Sequence, residues 1–190
     1  MTQSYIIFHL NLAYSSIEAH AREAVINKCY WPLLALIQDT NIPIGIELTG
    51  WTLEQIQQLA PDWVVEFKHL LIAGKAELIG SGYTQIIGPL VPYDVNIWNQ
   101  KLGLEVYESL LGVKPNLALV NEMAYSTGIV EAYVAAGYEG IIMDRDNILL
   151  ALNKEKTECE DVPSHAKGSN NTAIPVLWSD SLLFQKLRRL

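Results

Sequence analysis

Glu122 follows the apolar run Leu117-Ala118-Leu119-Val120 after one Asn, and Asp180 follows Val176-Leu177-Trp178-Ser179. A carboxylate at the carboxyl end of an inner strand is held by the sheet and opens into the crevice where parallel α/β folds collect their functional residues. Two such carboxylates about 5 Å apart suit retaining chemistry at a glycosidic bond. One must stay ionised to attack an anomeric carbon, while the other must hold a proton for the leaving oxygen. Enclosure and mutual repulsion can separate their pKa values. Local sequence equally allows Glu122 as a solvated strand-end acid and Asp180 as a helix N-cap.

His9, Glu47 and Asp144 also fall at predicted strand ends. His9 could bind a hydroxyl or orient a carboxylate, or it could simply pack beside Phe8. Asp144 and Asp146 could meet hydroxyls or a hard cation, although a local Asx bond or solvation is the commoner role in a turn. Trp51, Tyr83, Trp98, Tyr125 and Trp178 offer faces for sugar rings, with core or rim packing as the alternative. The helical stripe that includes Trp98 predicts burial.

No compact metal motif is present. His9, His20, His69 and His165 are scattered, without HxxxH or HExxH spacing, although distant ligands can converge in a fold. The glycines around Gly80 lack the GKS or GKT ending of a phosphate loop. No cofactor is expected.

The elements that must position these residues alternate. Strands are predicted at Tyr5–His9, Ile44–Leu48, Ala76–Ile79, Leu117–Val120, Gly140–Met143 and Ile174–Trp178, the first with the continuous apolar character of a strand buried on both faces. Ser15 with Glu18 and Thr52 with Gln55 read as capping boxes. Pro32 kinks or restarts the first helix, and Leu53, Ile56 and Leu59 form a stripe on the next. Pro61 opens a helix that buries Trp63, Phe67 and Leu70 or Leu71. Asp94 caps one whose stripe is Trp98, Leu102, Val106 and Leu110, stopped by Gly112 and Pro115. Ser126 or Thr127 begins another that Gly137 releases, and Ser179 or Asp180 caps the last. The polar interval from Asn153 to Asn171 reads as an excursion. Between strand and helix, Gly80-Ser81-Gly82-Tyr83-Thr84-Gln85 and Gly88-Pro89-Leu90-Val91-Pro92 have the bends of a substrate-lining loop.

Strand then helix, repeated, implies a mostly parallel α/β arrangement, a barrel or incomplete barrel ahead of an open sheet. An eight-unit barrel takes about 250 residues, and this chain has 190. One domain over residues 1–190, without a separate second domain, is expected. With 13 Lys and Arg against 21 Asp and Glu, the net charge of -8 disfavours nucleic acid as the main ligand and is compatible with a neutral one. A hydrophobic share of 50% and a mean hydropathy of +0.15 suit a buried sheet. No segment has the length of a membrane helix and no signal-peptide pattern opens the chain. Cys29 and Cys159 form no CxxC pair. The cytoplasm is the default compartment.

Four stretches together resemble glycoside hydrolase family 57: Phe8-His9-Leu10-Asn11; Gly80–Gln85 with Pro89-Leu90; Val120-Asn121-Glu122-Met123-Ala124-Tyr125; and Leu177–Phe184. The resemblance spans nearly the whole chain. It implies an incomplete parallel (β/α)7-type barrel and retaining hydrolysis or transglycosylation of α-glucan bonds, with Glu122 as nucleophile and Asp180 as general acid/base. It also implies that His9 and Tyr83 contact substrate, with Trp178 beside them, and that neither metal nor organic cofactor is required. Two motifs depart from the usual pattern: His9-Leu10-Asn11 replaces His-Gln-Pro, and Trp178-Ser179 replaces Phe-Arg before Asp180. The family normally continues past the position of Leu190 with a further strand and a helical region, so the sequence is expected to be truncated, with an open cleft. Two other readings stand beside this one, a metal-dependent polysaccharide deacetylase-like enzyme and a non-catalytic glucan-binding or interaction fragment.

Overall fold

The computed structural model describes residues 5–40, 42–146 and 163–180. The chain divides into two compact units, one of Met1–Gln85 with Trp98–Asn116 and the other of Ile86–Ile97 with Leu117–Leu190.

In the first unit three parallel strands, β1 (Ile6–Leu10), β2 (Ile44–Leu48) and β3 (Ala76–Gly80), pair in sequence order. Every residue of β2 is buried, whereas Ile6 is exposed and Ile7 and Phe8 are half-buried. The strand predicted as buried on both faces therefore stands at the end of the strand order, and β2, flanked on both sides, has that environment instead.

The first helical stretch also differs from expectation. A 3-10 turn at Ala19–Ala21 leads into α1 (Arg22–Val25), and Glu18 rather than Ser15 is the N-cap residue, without a side-chain cap bond. A π-helical turn then spans Ile26–Tyr30 ahead of α2 (Trp31–Asp39). Pro32 has no N–H for the carbonyl four residues back, and the widened turn accommodates that loss without ending the helix.

Helix α3 (Gly50–Leu59) is capped by Thr49, whose hydroxyl accepts from the Thr52 N–H at 3.1 Å. The cap thus lies three residues ahead of the predicted Thr52. Leu53 and Ile56 are buried, but Leu59 of the expected stripe is exposed. Helix α4 (Pro61–Ile72) begins at Pro61 and buries Trp63, Phe67 and Leu70, as the sequence indicates. Its Trp63 and Phe67 rings pack 5.1 Å apart, in a core shared with Leu34, Ile37, Ile46 and Leu53. Full burial of side chains this large stabilises by roughly 1.5–3 kcal/mol each.

Helix α5 (Tyr93–Leu111) already contains Asp94 in its first turn, so Asp94 is not its cap. Its buried face is Asn96, Gln100, Gly103, Tyr107 and Leu111, while Trp98 and Leu102 are exposed and Lys101 lies 4.6 Å from the Trp98 ring. Hydrophobicity alone misplaces this face because polar Asn96, Asn99 and Gln100 are buried here.

In the second unit β4 (Leu117–Leu119), β5 (Gly140–Asp144) and β7 (Ala173–Ser179) are parallel neighbours. Strand β6 (His165–Lys167) pairs antiparallel with β7, inside the interval that the sequence marks as an excursion. Its three residues are too few to give a period. Helix α6 (Thr127–Ala136) buries Ile129, Val130 and Tyr133 and ends on left-handed Gly137 at φ 88°. The described residues therefore hold seven strands, and each unit has the expected α/β character with parallel strands, β6 excepted. The predicted final helix lies outside the described residues.

Candidate active site

His9 and Glu47 are register partners on β1 and β2, so their side chains leave the same face one strand spacing apart. The Nδ1 of His9 meets Oε2 of Glu47. Glu47 is fully buried and His9 is 43% exposed, so a buried carboxylate supports a ring that reaches solvent. Removing a carboxylate from water is costly without a partner. Glu47 Oε1 is buried without a hydrogen-bond partner, which leaves the imidazole as the group that compensates Glu47.

Gln85 lies on the far side of the ring, its Nε2 3.0 Å from His9 Nε2. Asn11 Nδ2 donates to Gln85 Oε1 at 2.7 Å, and Asn11 Oδ1 accepts from the Ala13 N–H at 2.8 Å. The loop that carries Gln85 is fastened to α5. Asn99 Oδ1 accepts from the Thr84 N–H at 2.9 Å, and its Nδ2 donates to the Thr84 carbonyl at 3.0 Å. The buried Tyr107 hydroxyl donates to the Leu48 carbonyl at 2.6 Å and accepts from the Ser81 N–H at 3.2 Å, tying the ends of β2 and β3 together. Gly82 adopts φ 72°, and a Cβ on Gly103 would fall 2.4 Å from the Gly82 carbonyl carbon. Backbones approach here as closely as two glycines allow.

Tyr83 is turned to a different surface. Its hydroxyl donates to Glu54 Oε2 of α3 at 2.9 Å, and that bond, with some burial, raises its pKa above the ordinary phenol value. Together with Glu54, Gln58, Leu102 and Ser109 it lines an open groove of about 660 Å³ between α3 and α5.

In the second unit Glu122 sits in a 3-10 turn, Asn121–Met123, just beyond β4. Glu122 and Met123 are both left-handed, at φ 53° and 50°. Such a conformation costs a non-glycine residue on the order of 1–2 kcal/mol. The turn is closed by the Met123 N–H on the Val120 carbonyl at 2.9 Å and the Ala124 N–H on the Asn121 carbonyl at 3.2 Å, and Asn121 is buried beneath it. Glu122 itself is exposed.

Asp180 follows β7, with Arg145 Nη2 3.3 Å from its Oδ2. Trp178, the register partner of Met143, is half-buried and donates its indole N–H to the Pro163 carbonyl at 2.8 Å. Asp144 closes the local Asx bond named as one of its alternatives, Oδ1 accepting from the Asp146 N–H at 2.7 Å. Tyr125 donates its hydroxyl to the Lys167 carbonyl at 2.6 Å.

The predicted residues thus fall into distinct groups. His9 joins Glu47, Gln85 and Asn11 in the first unit, with Tyr83 facing the helical groove. Glu122, Trp178 and Asp180 belong to the second, at the carboxyl ends of β4 and β7. Sequence reasoning placed Glu47 at a strand end without giving it a role, and did not select Gln85, Asn11 or Arg145 for the site. Equal placement near the ends of two successive parallel strands signals the His9–Glu47 contact. Gln85 and Asn11 lie inside stretches that carry the family resemblance, but nothing in the local pattern singles out either of them or Arg145. Among the described residues, no group of three or more His, Cys, Asp or Glu side chains is placed to hold a metal ion, and no helix is long and apolar enough to cross a membrane.

Residues 1–183 match the model of glycosyl hydrolase family 57, and the chain belongs to that family. It is similar to an α-amylase of Pyrococcus furiosus, 24% identical over 136 residues, a match covering 70% of this chain and 21% of the relative. A 4-alpha-glucanotransferase of Thermococcus litoralis is 21% identical over the same length. The chain spans about a fifth of the length of these curated relatives. The crystal structure of the Thermococcus litoralis glucanotransferase superposes with a TM-score of 0.82 at 19% identity, covering 97% of this chain and 29% of that one. This likeness shows the fold, the incomplete parallel (β/α)7-type barrel that the sequence implies. A deacetylase solved with its substrate is a weaker match, with a TM-score of 0.51 at 12% identity over 75% of this chain and 61% of that one.

Proposed function

We propose that this chain carries the catalytic carboxylates of a retaining enzyme that cleaves or transfers α-glucan bonds, with Glu122 as nucleophile and Asp180 as general acid/base. The observation that carries this reading is Glu122 itself, an exposed carboxylate at the carboxyl end of β4 on strained, left-handed backbone. Strain of this kind persists where the surroundings over-determine it, and it clusters at active sites.

Strands β4, β5 and β7 are consecutive parallel neighbours, so Glu122 and Asp180 stand on one rim, flanking Asp144. Two strand spacings separate their backbones by about 10 Å, from which two side chains can converge to the separation of about 5 Å that retention requires. In the first half-reaction a protonated Asp180 gives its proton to the leaving glycosidic oxygen while Glu122 attacks C1. In the second, ionised Asp180 takes a proton from water or a sugar hydroxyl that displaces Glu122. The Arg145 guanidinium lies 3.3 Å from Asp180 Oδ2, close enough to orient that carboxylate as the base of the second half.

His9 contributes a sugar-hydroxyl contact, the Trp178 ring offers a stacking face, and Tyr83 extends the contact surface along its groove. Neither metal nor organic cofactor enters this scheme, and the cytoplasm is the proposed compartment. The test is proton NMR of the anomer first released from a maltooligosaccharide. Retention yields the α-anomer, and initial release of the β-anomer would overturn the double-displacement reading.

A further inference from the structure

The hydrogen bonds around His9 run in one direction, and a backbone amide sets it. The Ala13 N–H can only donate, and it donates to Asn11 Oδ1. That fixes the Asn11 carboxamide with its NH2 group outward, where Nδ2 donates to Gln85 Oε1. Gln85 in turn must present its own NH2 group to His9 Nε2. A carboxamide nitrogen does not accept a proton, so His9 Nε2 is the acceptor of that bond. The proton of the neutral ring is then left on Nδ1, facing Glu47 Oε2.

We propose that Ala13, Asn11, Gln85, His9 and Glu47 form a relay of fixed polarity that holds His9 as its neutral Nδ1–H tautomer and reserves Nε2 as an acceptor for a donating sugar hydroxyl. An imidazolium would set the His9 Nε2–H against the Gln85 N–H, two donors facing each other. A protonated Glu47 donating to Nδ1 would force the same clash, since the ring proton would move to Nε2. Glu47 therefore ends the relay as a carboxylate, buried and held by the Nδ1–H. Gln85 occupies the place of a substrate hydroxyl, and a sugar O–H that displaces it makes the same bond to Nε2. Asn11, Gln85 and Glu47 are positioning residues in this scheme. Asn11 is also where the first motif departs from proline, which could not anchor Gln85 in this way.

The hydroxyl-acceptor role rests on the glucan reading, but the tautomer can be measured without any glucan. Long-range proton–nitrogen NMR of the 15N-histidine-labelled chain, with His9 identified by loss of its signals in His9→Asn, reads both ring nitrogens. The expected pattern at neutral pH is a protonated, pyrrole-like Nδ1 and a pyridine-like Nε2. Asn11→Asp offers Gln85 an acceptor only, which turns its carboxamide over and demands a proton on Nε2. Gln85→Glu demands the same. In both variants the pyridine-like Nε2 signal should be lost. An Nε2–H tautomer or an imidazolium in the unaltered chain, or an Nδ1–H pattern unchanged in both variants, would overturn the relay. Maltoheptaose added to the labelled chain should shift His9 Nε2. The stated tautomer with no such response would leave the relay standing and overturn the hydroxyl-acceptor role.

Discussion

Arg145 and Asp180 form an ion pair at 3.3 Å across the carboxyl ends of β5 and β7, with side chains 26% and 39% exposed. A pair so open to solvent is worth no more than about 1 kcal/mol of stability. Its effect should be on the reaction. Arg145→Met removes the cation that orients Asp180, the proposed general base of the second half-reaction. The chain should keep its melting temperature within a few degrees, while intact-mass spectrometry during turnover finds a larger fraction carrying covalent sugar. An unchanged adduct fraction would show that Arg145 does not assist that step.

Glu122 offers a second prediction, because its backbone strain and its chemistry separate on substitution. Glu122→Gln keeps the left-handed strain and the fold but should lose all measurable glucan cleavage. Glu122→Gly also loses activity, yet it should unfold at higher denaturant, with a gain of about 1 kcal/mol from release of the left-handed penalty. Equal or lower stability of the glycine variant in urea titrations would contradict the strain.

Gly103 and Gly82 make a third. A methyl group on Gly103 would lie 2.4 Å from the Gly82 carbonyl carbon, a backbone atom that cannot swing aside. Gly103→Ala should therefore cost roughly 2 kcal/mol or more. The loop that presents Gln85 should loosen, visible as faster amide exchange at Tyr83 and Thr84, the two amides held by Asn99. Exchange unchanged at these amides would mean that the close approach does not hold the loop.

The β6–β7 turn predicts a pH dependence. Glu131 Oε1 of α6 accepts from the Ser169 and Asn170 N–H groups and from the Thr172 hydroxyl. Desolvation works to raise its pKa, but these donors outweigh it, and the net shift is downward. A folded-state pKa below the unfolded value contributes stability that is present above the unfolded pKa and is lost as pH falls through the folded one. Amide protection at Ser169 and Asn170 should thus hold at neutral pH and fall away below the ordinary carboxylate range. Glu131→Gln should remove the pH dependence, and protection that persists in acid in the unaltered chain would contradict it.

Most strands and the parallel α/β class were legible in the sequence because they rest on long apolar runs punctuated by Gly and Pro. Gly74, Gly112 and Gly137 all take the left-handed conformations their positions demand. What misled was polarity in unusual places. Buried Asn96, Asn99 and Gln100 hid the inner face of α5 behind the more hydrophobic Trp98 and Leu102, and the three-residue β6 lies in a polar stretch with no period to read. Within the site, strand-end positions pointed to His9, Glu47, Glu122 and Asp180. Gln85 and Asn11 were not legible as site residues, since their roles depend on a loop docked by Asn99 and Tyr107 from a helix far along the chain.

The most direct test of the central claim is peptide mass spectrometry after incubation with a fluorinated α-glucosyl fluoride, which forms the covalent intermediate faster than water releases it. The account predicts a single added sugar on the peptide that contains Glu122, absent in Glu122→Gln. A sugar on another residue, or no adduct from a chain shown by NMR titration to bind the probe, would contradict it.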